Sequence, residues 1–433
     1  MTTVVQHPGR PWAPHRQDDV DGRAARLPAQ GRRRRAPAAT GRGTLLGAIF
    51  LMATSAIGPG FITQTTNFTV QLGAAFAFAI VISILVDIAI QTNVWRVIGV
   101  SGMRAQELGN ASLPGLGYVM AGLLLVGGLV FNIGNVSGAG LGLNIMTDLD
   151  ARIGAVILAA AAVGIFLSKR AGVAMDRIVV LLGAVMILLT LYVAVTSGPP
   201  VGDALRNSVL PEQVSVLAIT TLIGGTIGGY IIYAGAHRLL DAGVSGEAHL
   251  REITRSAATG IIVTGVMRVI LFLAILGVVS TGAELDPASQ AASAFQAAAG
   301  NVGYRLFGVV FSAAALTSVI GVSYTTITFL TSRTKTPPRT TNILVVGFIV
   351  LSTVLFLAIG AAPAQLLVFA GAFNGILLPV GIGVMMWVAW RRRDLLHGYD
   401  YPKWLAGIGT VAWLVTIYLA VNSVRPAIEL VTG

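Results

Sequence analysis

The chain has 433 residues, of which 55% are hydrophobic and only 11% charged. A soluble domain carries roughly 25% charged residues, so this composition, with a mean hydropathy of +0.80, belongs to a chain solvated by lipid. Of its 18 acidic residues Asp87 alone lies deep in an apolar run, and there is no Cys, which excludes a large aqueous domain, a catalytic head of paired carboxylates, disulfides, zinc–thiolate sites and iron–sulfur centres.

The net charge of +11 suggests nucleic acid only until it is placed along the chain. Residues 1–43 hold nine Arg against three Asp, are rich in Pro, and include the run Arg32, Arg33, Arg34 and Arg35. Without apolar periodicity this segment reads as a disordered, basic cytoplasmic tail that anchors the chain at the lipid surface, with no nucleic-acid partner. The apolar stretch after it is too long for a signal core.

A helix needs about 20 apolar residues to cross the hydrocarbon. That window finds eleven spans, near 45–71, 74–98, 116–147, 152–168, 174–197, 214–239, 257–281, 303–330, 342–361, 365–390 and 404–424. The predicted fold is an all-α polytopic membrane protein, with a core of ten spans over 44–400 and an eleventh span and short C-terminus over 401–433. Lys and Arg accumulate in cytoplasmic loops. With the N-terminus inside, 24 of the 29 basic residues fall on the cytoplasmic side, four outside, and Arg268 within a span.

Two spans carry a helix-breaking pattern. The first contains Gly58-Pro59-Gly60-Phe61 followed by the polar run Thr63-Gln64-Thr65-Thr66-Asn67; the sixth contains Gly224, Gly225, Gly228 and Gly229 within six residues. A freed backbone group in lipid must be satisfied by protein, cargo or cavity water. These spans open two successive groups of five, and matching interruptions in two halves point to an inverted-repeat secondary transporter with its site at midplane. The spacing predicts unwound segments at Thr63–Asn67 and Gly225–Gly229 facing one another, with the glycines leaving room for cargo. The competing reading is that they let helices pack closely, as Gly134, Gly138 and Gly142 do in the third span.

These motifs resemble the NRAMP family of divalent-metal transporters over roughly residues 45–400. Gly58-Pro59-Gly60-Phe61 matches the family's GPGF opening, and Asn67-Phe68-Thr69 is similar to the tail of its DPGNxAT motif. The stretch Trp95 to Gly102 is similar to the end of its second helix, and Asn132 to Ile145 to its third. Gly225 to Tyr233 shares the frame of its sixth-helix motif, and Leu377-Leu378-Pro379 stands where the tenth helix has Gln-Leu-Pro. The resemblance implies a LeuT-type fold of two inverted five-helix repeats with broken helices 1 and 6, metal-ion transport, and proton or ion coupling.

Carried over by position, the family's metal-binding Asp falls on Gln64, its Asn is kept as Asn67, and its Met ligand falls on Gly228. The sixth-helix His becomes Tyr230, the third-helix acids associated with proton movement become Asn132 and Asn135, and the tenth-helix Gln becomes Leu377. Gln64 and Asn67 would then meet a metal with neutral amides, whereas divalent cations want carboxylates or soft sulfur. An alternative cargo is a small organic solute or acid, held by Gln64, Thr65, Asn67, Gly225, Gly228 and Tyr230 and by helix-end amides. An ion channel is the alternative of another class; with no cofactor and no catalytic cluster expected, an enzyme is not. Asp87 and Arg268 lie at comparable depth, as a coupling or gating pair or a structural one. His237 and Arg238 are expected to snorkel at the end of the sixth span.

Overall fold

The computed structural model describes residues 58–331 and 336–432, without the side chains of 169–180 and 431–432. The predicted basic tail and the first half of the first span lie outside the described residues. Among the described residues every regular element is helical: α1 (Pro59–Leu72), α2 (Phe76–Ser101), α3 (Ala105–Ser112), α4 (Leu116–Thr147), α5 (Ala151–Leu167), α6 (Lys169–Thr196), α7 (Val201–Val209), α8 (Val216–Ile227), α9 (Ile231–Asp241), α10 (Leu250–Ser280), α11 (Gln290–Leu330), α12 (Pro338–Ile359), α13 (Pro363–Arg391) and α14 (Lys403–Thr432).

Local chemistry sets the ends. Pro opens α1, α12 and α13 within the first two positions, where its missing N–H has no intrahelical partner to lose. Ser215 caps α8 through Ala218 N, and Asp150 caps α5 through Arg152 N and Ile153 N. Gly102 ends α2 in the left-handed region.

Each of the eleven predicted runs holds helix. Eight helical segments are long and apolar enough to cross a membrane among the described residues, or nine if the bent pair α6–α7 is one span. The shortfall from eleven has two sources: the first two runs form one continuous segment, Pro59–Ser101, and the fourth is short. Helix α5 has 17 residues, about 26 Å of rise against a hydrocarbon core of about 30 Å. Two breaks fall just outside the predicted runs: α11 turns at Gly300 (φ 63°), before the eighth run begins, and α7, which follows the fifth run, leaves the axis of α6 at 103°.

Helix α4 packs along α11 and α13, while α13 also packs along α8 and α14, and α2 along α10. Helix α1 reaches α8, α10, α11 and α13, so it runs through the interior with most of its side chains buried.

Candidate functional site

Helix α8 stops at Ile227 and α9 starts at Ile231, which places the sixth-span interruption at Gly228–Tyr230. Gly228 is extended (φ −70°, ψ 159°) and Gly229 takes φ 57°, a left-handed conformation that costs glycine little. The predicted unwinding at Thr63–Asn67 is not found: those residues are helical in α1. The polar run is accommodated because Thr65, Thr66 and Thr69 return their hydroxyls to the carbonyls of Phe61, Ile62 and Thr65, at 2.7, 2.9 and 2.6 Å. Gly225 is likewise helical.

Gln64 is fully buried and donates from Nε2 to Leu367 O at 2.9 Å, while its Oε1 has no hydrogen-bond partner. A Cβ on Gly225 would strike Oε1, and one on Gly371 would strike Nε2. The amide is thus wedged between α8 and α13 because both present glycine there. Gly224 closes the same seam, where a Cβ would run into the backbone of Gly371 and Gly375.

Around the break, close packing replaces the expected room. A Cβ on Gly228 would collide with Gly224 O and crowd Asn374, and one on Gly229 would meet Asn374 Oδ1. Tyr230 is buried with its ring edge-on to Phe131, centroids 6.3 Å apart. The sequence reading missed Asn374. It is fully buried, donates to Gly127 O at 3.0 Å and Ala370 O at 2.9 Å, and keeps Oδ1 unpartnered. A lone amide between Gly371 and Gly375 in an apolar run was the available signal. Asn374, Leu377, Gly229 and Tyr233 line a cavity of about 40 Å³.

Arg268 of α10 and Asp87 of α2 are each 1% exposed. Arg268 Nη1 donates to Thr226 Oγ1 at 2.9 Å, and its guanidinium carbon stands 4.5 Å from the centre of the Phe61 ring. The charge therefore sits between the last turn of α8 and the first turn of α1. Arg268 Nε and Nη2 and both Asp87 oxygens have no hydrogen-bond partner. The two residues are close enough to feel each other's charge, with the Thr226 hydroxyl beside both.

Other expected site residues are elsewhere. Asn67 is half-buried and accepts from Gln71 one turn on. Asn132 donates to Ser323 and Ser352, both at 3.0 Å, in a separate polar cluster of α4, α11 and α12, and Asn135 is buried further along α4. His237 does not snorkel: it is 8% exposed, accepts from Ala105 N at 3.2 Å, and stacks between Tyr233 and Phe329. The backbone N–H at the start of α3 needs an acceptor, and the imidazole supplies it. Arg238 is exposed as expected. Beside this stack Arg104 pairs with Asp241 at 2.8 Å, so α3, α9 and α11 are latched together at one face of the molecule.

The profile of the natural resistance-associated macrophage protein-like (Nramp) family matches residues 49–425. The membrane protein YcsG of Bacillus subtilis (strain 168) is 51% identical over 380 residues, 88% of this chain and 93% of that protein. A membrane protein of Haemophilus influenzae (strain ATCC 51907 / DSM 11121 / KW20 / Rd) is 49% identical over 392 residues, 90% and 98% of the two chains. Among solved structures, a manganese transporter of Eremococcus coleocola superposes with a TM-score of 0.69 at 16% identity over 90% of this chain and 92% of that one. MhsT in complex with L-phenylalanine superposes with a TM-score of 0.61 at 16% identity, covering 89% and 98%. The fold is thus all-helical and LeuT-like, shared with transporters, and the chain is a multi-pass membrane protein. A family profile spanning most of the sequence, together with relatives at about half identity, makes this chain a member of the Nramp family.

Proposed function

We propose that the chain is a secondary transporter that moves a small solute across the membrane by alternating access around the Gly228–Tyr230 break, with its N-terminus in the cytoplasm. The observation that carries this reading is the interrupted span itself, with the unpartnered atoms of Gln64, Asn374 and Arg268 on the helices around it. Family membership supports a metal ion as cargo. In that reading Gln64 Oε1 and backbone carbonyls near the break are the ligands, with Asn67 a further amide on the same helix, and binding is weak because none of them carries negative charge. A second reading, a small organic solute or acid, is favoured by Arg268: a buried cation beside the break repels a divalent metal and attracts an anion. The fold does not choose between them, since one structure that shares it is a manganese transporter and another holds phenylalanine.

Calorimetry of the purified protein with Mn²⁺ separates the two. Weak or absent binding that becomes tight in Gln64→Asp is the expected result for a chain whose metal site has lost its charge. Tight binding by the unmodified chain would mean that the metal ligands lie elsewhere in the chain, and would end the organic reading.

A further inference from the structure

Resting on the organic-solute reading, we infer that Arg268 and Asp87 form a proton-exchangeable carboxylate site, so that the cargo is a small monocarboxylate entering with one proton. The argument is one of charge conservation in a buried space. Arg268 is held by a single hydrogen bond to Thr226 and by the face of Phe61, which leaves Nε and Nη2 as free donors. Those two N–H groups form one edge of the planar guanidinium fork, the edge that binds a carboxylate bidentately. In the present state its compensating charge is Asp87, whose oxygens accept no hydrogen bond. The carboxylate supplies neutrality without supplying the donors' partners.

Substrate and Asp87 are therefore interchangeable as counter-ions but not together. The ionised pair has no net charge. A carboxylate binding to Arg268 alone adds one negative charge to a site with no water-exposed surface, which low polarity disfavours. A proton taken from the entry side onto Asp87 restores neutrality, leaving Arg268 to the substrate, and both leave on the other side. No bond other than O–H forms or breaks. Among the described residues no second ion interferes. Helices α1 and α8 carry no charged residue, and the acids and bases of α7, α13 and α14, with Arg238 and Asp241 of α9, are exposed, Asp203, Arg206, Arg391, Lys403, Arg425 and Glu429 among them. His237 is buried but bonded to Ala105 N. On α10 itself the other ions, Arg251, Glu252 and Arg255, lie in the first two turns; on α2 the half-buried Arg96, nine residues beyond Asp87, donates to Thr254 and Tyr399; and Arg305 of α11 is paired with Asp148. Thr226 is two residues from Gly228, so exchange of partners at Arg268 is felt at the break.

The test is uptake by the full chain in proteoliposomes. Labelled lactate, pyruvate and benzoate are compared with their primary amides and with Mn²⁺, over protein-free vesicles. The expected result is uptake of at least one carboxylate, driven by an inward proton gradient, indifferent to a potassium–valinomycin potential, and absent for the amides. Arg268→Gln should weaken carboxylate binding about ten- to hundredfold, the size of a charged hydrogen bond. Asp87→Asn should still bind carboxylate but lose the response to the proton gradient. The double variant Asp87→Asn/Arg268→Gln, neutral like the native pair, controls for folding. Uptake that moves charge, a gradient response that survives in Asp87→Asn, or failure of every carboxylate would overturn the proposal. Amide uptake independent of Arg268 would overturn it while leaving the organic reading standing, and uptake of Mn²⁺ alone would overturn both.

Discussion

Gln64 is positioned by what its neighbours lack. The amide fits because Gly225 and Gly371 have no side chain, so Gly225→Ala pushes against Oε1 and should cost about 1–3 kcal/mol of stability, the usual penalty for overfilling a packed core. A thermal melt in detergent checks it, and an unchanged midpoint would mean that the seam yields. Asp87 and Arg268 obey a different rule. Removing either partner strands the other, at about 3–5 kcal/mol, whereas removing both strands neither. A double-mutant cycle in denaturant should therefore find Asp87→Asn/Arg268→Gln milder than the sum of the single changes, and additivity would mean that the residues act alone. Both were visible in the sequence, because a charge in an apolar run is conspicuous. Asn374 stood out only as a lone amide in an apolar run; its role was not legible, because nothing in a single sequence says that an amide in the tenth span leans on the break in the sixth.

The elements were legible where composition dominates and illegible where packing does. Each helix-length apolar run holds helix among the described residues, and four glycines in six residues located the sixth-span break to within three residues. What could not be read was which glycines unwind. Gly224 and Gly225 stay helical because α13 packs on them; only Gly228 and Gly229 leave the helix. The consequence reverses the cargo-room reading of these positions. Gly228→Val or Gly229→Val should reduce the yield of folded protein, since the new side chain meets backbone or Asn374 instead of open space. Size-exclusion profiles that match the unmodified chain would restore the cargo-room reading. At the end of α4, Arg305 holds the Asp148 carboxyl below the usual range. A depressed carboxylate supports the fold above its unfolded value and loses that support as pH falls through the folded one. Protection factors at Thr147 to Asp150, taken relative to the intrinsic exchange rate at each pH, should therefore fall on acidification below about pH 4, and should already be lower at neutral pH in Arg305→Gln.

At the scale of the molecule, the order and spacing of weak motifs gave the family and the LeuT-like fold, although no single motif was specific. Topology is the part that charge bias alone supports. The chain has no Cys, so single cysteines placed at Tyr118 and at Arg425 can be labelled with a membrane-impermeant maleimide; only Arg425→Cys should react in intact cells. The central claim is that the protein alternates between two states about the α8–α9 break. In that account the latch of Arg104, Asp241, His237 and Phe329 is the contact that opens at one face. Spin labels at Tyr118→Cys on α4 and Arg238→Cys on α9, both exposed positions, report that face directly in lipid nanodiscs. Two distance populations, the shorter matching the latched form, with a ratio that shifts on adding Mn²⁺ or a carboxylate, are the predicted result; one population that neither solute moves would contradict alternating access.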